Sequence, residues 1–191
     1  AVNGLGATVV AGVTAAQKIM QFTGCPFDTL GQTMAPYSGQ NLGAGKLDRI
    51  GEGLKSANII GFIISGVIFV ALVLFGKTLT LLFMDASATQ AIQYAHQFMV
   101  VSSAGYCLLT LVNTVRFTIQ GMGFSTFAMI AGVMEMIARS LAGLVLVSFI
   151  GYWGVCLAHV LAWIFADVFL IPCYCVCMKK LKANAESSLT Q

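Results

Sequence analysis

The sequence predicts an all-α fold, a polytopic bundle of about five membrane-spanning helices. Of its 191 residues, 58% are hydrophobic and only 9% are charged, and the mean hydropathy is +0.88. Soluble domains carry about 25% charged residues, so this chain has too few charges to cover a water-soluble surface. Its apolar residues also gather into uncharged runs of about 20 residues, which is the length that crosses a bilayer as a helix.

Five spans follow one another along the chain. The clearest is the uncharged run "SANIIGFIISGVIFVALVLFG" at 56–76. The first span is apolar but contains Lys18, Pro26 and Asp28. The apolar stretch after residue 126 is long enough to cross twice, and "GYWG" at 151–154 provides the break. The predicted spans are about 7–37, 55–77, 92–116, 126–149 and 155–178.

Basic residues predict how the helices are oriented. If all five segments cross, the ends that carry them fall on one side of the membrane; they are Lys46, Arg49, Lys55, Arg116, Lys179, Lys180 and Lys182. Because Lys and Arg favour the cytoplasmic side of short loops, the C-terminus is predicted to be cytoplasmic. Residues 1–178 then form one transmembrane lobe surrounded by membrane lipids, and 179–191 form a cytoplasmic tail, of which "ANAESSLTQ" (183–191) is expected to be disordered.

The stretch "GQNLGAGKLDRI" at 39–50 has glycines before Lys46, as phosphate-binding loops do. A Walker A loop needs four residues between its glycines and a Ser or Thr after its lysine. Here five residues separate Gly39 from Gly45, and Leu47 follows the lysine. The stretch is therefore expected to be a cytoplasmic connection, in which one helix ends at Gly39 and "DRIGEGL" opens the next.

Other chemistries find little support in the residues. On a helix, "CYCVC" at 173–177 would point its three thiols in different directions, and no His or carboxylate lies within five residues to complete a metal site. No catalytic Ser/His/Asp or paired-carboxylate spacing occurs, so we expect no enzyme, no metal and no cofactor. The net charge of +3 is too small and too scattered for nucleic-acid binding.

Several motifs resemble one transporter family. "PFDTLGQTMAPYSGQNLGAGKLDRIGEGL" (26–54) is similar to a helix–helix connection in the multidrug and toxic compound extrusion (MATE) family. Further similar segments are "NGLGATVVAGVTAAQKI" (3–19), "FTIQGMGFSTFAMIAGVMEMIAR" (117–139) and "GYWGVCLAHVLAWIFADVFLIP" (151–172). The resemblance follows the whole chain in order and is to the C-terminal lobe.

The resemblance implies a fold and a function. Family proteins have twelve helices in two six-helix lobes, and they export organic cations in exchange for sodium ions or protons. The chain is then expected to be a partial one, the C-terminal half of such a transporter in a bacterial plasma (inner) membrane. Its partners would be small organic cations and the missing N-terminal lobe. The sequence does not choose between sodium and protons as the coupling ion.

Polar residues recur at helical spacing on three spans, which predicts one polar face on each helix. On the first span they are Gln17, Gln21, Asp28 and Gln32, with Cys25 as the apolar member of the same stripe; on the third, Ser103, Tyr106, Thr110 and Asn113; on the last, His159, Trp163 and Asp167. Polar groups in membranes face protein or water rather than lipid. These faces therefore predict an aqueous cavity into which Asp28 and Asp167 project.

The charged candidates each allow two interpretations. Asp28 either binds a cationic substrate or ion while it is ionised and releases it when protonated, or it pairs with Lys18 or a neighbouring helix as a structural contact. Glu135 and Arg139 stand four residues apart, which favours an ion pair within one helix, and a role in coupling is the alternative. Tyr106 and Trp163 either stack on a flat cation or pack in the core.

Two other functions remain open. A flippase of the same superfamily would move lipid-linked saccharides, and its cavity should carry several inward Lys or Arg side chains. This chain offers chiefly Lys18 and Arg139, each with an acidic residue available as a partner, so cation antiport is preferred. A non-transporting membrane fragment is the third hypothesis.

Overall fold

The computed structural model describes the backbone of residues 5–189, with the side chains of all of these except residues 186, 188 and 189. This part of the chain is helical apart from short connections. Its six α-helices, in chain order, are α1 (Ala7–Gly43), α2 (Leu47–Thr80), α3 (Thr89–Ala104), α4 (Tyr106–Gly121), α5 (Ser125–Ile150) and α6 (Tyr152–Leu189).

The helices lie side by side in alternating directions. Gly12 of α1 meets Ala91 of α3, and Ala35 further along α1 meets Gly121 of α4, so α1 runs parallel to the α3–α4 pair. In α2 the order is reversed, because Gly61 meets Thr110 while the later Val73 meets His96. The α6 helix runs parallel to α3 and α4, and α5 runs antiparallel to both of its neighbours. This alternation is what consecutive membrane crossings produce.

Small residues bring the helix backbones close together. A Cβ at Gly121 would lie 2.2 Å from the carbonyl oxygen of Ala35, and one at Gly61 would lie 2.2 Å from Cγ2 of Thr110. Lipid tails are as apolar as leucine side chains, so close van der Waals packing and hydrogen bonds hold membrane helices together. These glycines fix α4 against α1 and α2.

A bend of 51° separates α3 from α4. It lies at Gly105, where an added Cβ would be 2.9 Å from Cγ2 of Val160 and 3.2 Å from the Trp163 ring. Because Gly105 has no side chain, α6 packs closely against the break between α3 and α4. The sequence predicted one span at 92–116, and the structure divides it into two helices at this glycine.

The all-α membrane class is confirmed. Among the described residues, α2, α5 and α6 are each long and apolar enough to cross a membrane, and the bent α3–α4 pair adds a fourth span if it crosses as one. The α1 helix is long enough but less apolar than these helices, although it packs along α3 and α4 over its length. The fifth span therefore stays a prediction.

Two predicted boundaries were wrong. The first helix does not end at Gly39 but continues to Gly43, and only three residues connect it to α2. Gly45 has φ +70°, a conformation that suits glycine, and the Lys46 N–H closes the turn by donating to the Asn41 carbonyl at 2.9 Å. The predicted disordered tail is helical up to Leu189; residues 190 and 191 lie outside the described part.

The basic ends lie together, with one exception. Lys182 of α6 pairs with Asp48 at the start of α2, at 2.8 Å, and Lys180 lies 5.9 Å from the ring centre of Phe124, just beyond α4. Arg116 is different, because it lies within α4 and pairs with a carboxylate of α5. It is therefore no loop anchor, and the predicted cytoplasmic side rests on the remaining lysines and Arg49.

Candidate functional site

The exposed side of α1 is polar over most of its length, and we call it the polar face of α1. Between residues 14 and 40 its exposed side chains are polar except for Phe22, Cys25 and Pro36. The polar members are Thr14, Gln17, Lys18, Gln21, Asp28, Thr29, Gln32, Thr33 and Gln40. The five residues of the predicted first-span stripe all lie on this face.

The exposed surfaces of α2 and α5, unlike that of α1, are mainly apolar. On α2 the exposed side chains include Ile63 and Val67, and on α5 they include Met136 and Leu144. Such surfaces suit contact with lipid tails. The polar face of α1 does not, because an uncovered amide or carboxylate is costly in hydrocarbon.

Asp28 is held at the edge of this face by a helix–helix hydrogen bond. The Asn113 side chain on α4 donates from Nδ2 to Oδ1 of Asp28 at 3.1 Å. A Cβ at Gly31, one turn further along α1, would lie 2.9 Å from Cβ of Asn113, so α1 and α4 touch closely here. Lys18, the predicted alternative partner, instead lies 5.6 Å from the ring centre of Phe83.

A small cavity opens beside the polar face. Its volume is about 220 Å³, and its polar and aromatic lining comprises Gln17, Gln21, Phe98, Tyr106, His159 and Trp163. The Tyr106 hydroxyl is 2.8 Å from that of Thr23 on α1, which fixes the ring. Two predicted site residues, Gln21 and Tyr106, thus line one cavity, whereas Gln32 lies further along α1, one turn beyond Asp28.

The third-span polar residues are mostly buried contacts rather than cavity lining, which corrects the sequence-based expectation. Ser103, Thr110 and Asn113 are each less than a tenth exposed. Thr110 lies against α2, with its hydroxyl 3.4 Å from that of Ser65. Of the four, only Tyr106 lines the small cavity.

Sequence reasoning missed a second polar contact between α2 and α4. The Thr114 hydroxyl donates to the side-chain oxygen of Asn58 at 2.6 Å. Thr114 is fully buried. It lies next to the predicted stripe rather than on it, and only its four-residue spacing from Thr110 and Thr118 marked it as a helix contact.

Glu135 joins two arginines in a charge cluster. Its Oε1 accepts from Arg139 at 2.5 Å, which confirms the predicted ion pair within α5, and its Oε2 accepts from Arg116 of α4 at 2.6 Å. The side chains of Arg116 and Glu135 are only 21% and 15% exposed. The cluster ties α5 to α4. Arg116 was missed because its place near the end of a span resembled that of a loop anchor.

Asp167 lies inside the lobe rather than in an open cavity, which differs from the prediction. It is 5% exposed, and neither carboxylate oxygen has a hydrogen-bond partner within the described residues. The charges that act on it are those of Arg116 and Glu135. The predicted site residues therefore fall into two groups: the polar face of α1 with its cavity, and the charge cluster with Asp167.

The comparison with known families decides what this membrane bundle is. The MatE family model matches residues 1–142, which is most of the chain. The chain belongs to the MatE family. Members of this family are membrane transporters rather than enzymes. No curated protein and no solved structure gave a significant match.

The MatE match covers most of the candidate site. Asp28, Asn113 and the Glu135–Arg139 pair lie inside the matched range, whereas the α6 residues Trp163 and Asp167 lie after it. The α6 helix is nevertheless part of the same bundle, since it meets the bend at Gly105.

Proposed function

We propose that this chain forms one lobe of a secondary antiporter, which exports organic cations in exchange for sodium ions or protons. In this proposal the polar face of α1 forms one wall of the substrate path, and a second lobe of the same protein faces it. The observation that supports the proposal most is the contrast between this face and the apolar outer surfaces of α2 and α5.

The polar face needs water or protein beside it. Its three threonine hydroxyls all donate to carbonyls within α1, such as Thr29 to Cys25 at 2.9 Å and Thr33 to Thr29 at 2.8 Å. The amides of Gln21 and Gln32 have no such local partner among the hydrogen bonds of the described residues. Groups of this kind are stabilised by an aqueous path or by a polar partner lobe.

Asp28 is the acidic residue of the polar face and the proposed exchange site. The bond from Asn113 holds one carboxylate oxygen in place and leaves the other available to a ligand. An ionised carboxylate attracts a cationic substrate, and a proton or sodium ion at the same oxygen neutralises it and favours release. Because substrate and ion compete for one group, inward flow of the ion drives the substrate outward.

The cavity beside the polar face suits the flat part of an organic cation. The Tyr106 and Trp163 rings, with centroids 6.1 Å apart, line this cavity although each is less than a tenth exposed, and cations are attracted to the faces of such rings. Gln17 and Gln21 add amide groups at the side that meets α1. At about 220 Å³, the cavity holds part of a drug-sized molecule, since complete ligand pockets measure about 300–1,000 Å³.

The distribution of cations argues against a flippase for anionic lipid-linked saccharides. On the polar face of α1 the only described basic side chain is Lys18. Arg116 and Arg139 are both held by Glu135. An anionic pyrophosphate would therefore meet one lysine and one aspartate on this wall.

The test is ethidium efflux from vesicles that contain the complete protein, with sodium and proton gradients imposed separately. We expect Asp28→Asn to abolish efflux at unchanged membrane expression. Asp85→Asn removes an exposed carboxylate between α2 and α3 and should leave efflux unchanged. Normal efflux by Asp28→Asn would refute the exchange role, and the gradient that supports wild-type efflux identifies the coupling ion.

A further inference from the structure

The structure points to Asp167 as a proton-binding site, built into the interior of the α4–α5–α6 bundle and separate from the polar face of α1. Its two oxygens are buried without a hydrogen-bond partner among the described residues. A bare ionised carboxylate in such a place is costly, and a proton is the smallest ligand that removes the charge.

The surroundings of Asp167 are few and identifiable. The charges that act on it come from Arg116 of α4 and Glu135 of α5, and Arg139 pairs with the other oxygen of Glu135. The α3 helix meets α6 nearer its start through Phe98, and α6 itself carries His159 two turns before Asp167.

The contacts with α2 lie at the far end of α6, where Asp48 pairs with Lys182. The charges that act on Asp167 are therefore those of Arg116 and Glu135, which are paired with each other.

Two opposing effects act on Asp167. Burial without hydrogen bonds favours the neutral acid, while the Arg116 guanidinium favours the carboxylate. Arg116 is bonded to Glu135 and not to Asp167, an arrangement that suits the neutral acid.

Arg116 is able to respond to the loss of that proton. Its Nε is also buried without a hydrogen-bond partner in the described structure. When the Asp167 proton leaves to water, the new carboxylate attracts this guanidinium, and Glu135 keeps its bond to Arg139. The proton would thus decide whether the Arg116 guanidinium bonds only to Glu135 of α5 or also to Asp167 of α6.

The experiment is infrared difference spectroscopy of the complete purified protein, titrated with acid. We expect a carboxylic-acid band that is absent from Asp167→Asn and present in Asp28→Asn. Asp167→Glu should keep a band at a changed frequency, which covers the case in which Asp167→Asn does not fold. Arg116→Gln should move the midpoint of the band to higher pH, because it removes the charge that favours the carboxylate.

The proposal is overturned if Asp167→Asn folds and retains the whole band, or if Asp167→Glu leaves every band unchanged. A response to sodium at constant pH that requires Asp167 would also overturn it, in favour of a metal ion. Because the measurement needs no transport, its failure leaves the proposed role of Asp28 standing, and failure of the efflux test leaves this proposal standing.

Discussion

Replacing Glu135 with glutamine should destabilise the protein strongly, because one carboxylate satisfies two arginines. The substitution keeps the size of the side chain but removes the charge that pairs with Arg116 and Arg139, at 2.6 and 2.5 Å. Breaking a buried ion pair by removing one partner costs about 3–5 kcal/mol. Arg116 and Glu135 approach that case, since their side chains are 21% and 15% exposed.

The pair between Arg139 and Glu135 contributes less to the free energy of unfolding. Arg139 is 44% exposed, so its contribution resembles that of a surface pair, about 0.5 kcal/mol. We therefore expect Glu135→Gln to lower the free energy of unfolding by about 3 kcal/mol, the low end of the range for buried pairs. The assay is reversible denaturation of the complete protein in mixed detergent micelles, followed by tryptophan fluorescence.

Two further variants make the measurement decisive. Glu52→Gln removes an exposed carboxylate near the start of α2 and should change the unfolding free energy little. Combining Arg116→Gln with Glu135→Gln should cost less than the sum of the two single changes, because neither charge is then left unpaired. Equal stability of the Glu135→Gln and Glu52→Gln proteins would refute the reasoning.

Two other substitutions test how α4 is packed. Gly121→Ala would place a Cβ 2.2 Å from the Ala35 carbonyl oxygen, and overpacking of this kind costs about 1–3 kcal/mol. The matched control is Gly143→Ala, where a Cβ meets nothing within 4 Å, and it should show no loss of stability. Thr114→Val should cost about 1 kcal/mol, because the Asn58 oxygen loses its donor. Thermal stability in detergent checks both, and a Gly121→Ala protein as stable as the Gly143→Ala protein would contradict the close contact.

The membrane class and several helix contacts could be predicted from sequence because they depend on local patterns. Long apolar runs identified α2, α5 and α6, and the four-residue spacing of Glu135 and Arg139 identified their ion pair. The helical period also placed Gln21 and Asp28 on one side of α1. Residue spacing along one helix shows which side chains share a face, and this inference does not require the tertiary structure.

The sequence could not show whether each polar face packs against another helix or stays exposed. The third-span stripe has the same period as that of α1, yet Thr110 is buried against α2 while Gln21 stays exposed. The ion pair between Arg116 and Glu135 joins α4 to α5. The residue spacing within either helix does not indicate it. The bend at Gly105 likewise depends on α6 passing across it.

The proposal that water reaches the polar face of α1 has a native reporter in Cys25, which is exposed on that face between Gln21 and Asp28. The measurement is labelling by a charged, water-soluble maleimide in membranes containing the complete protein, with the other five cysteines replaced by alanine. Its reference is a variant in which Cys25 is also replaced and Ile63→Cys supplies the single thiol on the apolar side of α2. We predict rapid labelling of Cys25, slowed by an organic cation, and little labelling at position 63. If Cys25 reacts no faster than the thiol at position 63, the polar face does not line an aqueous path.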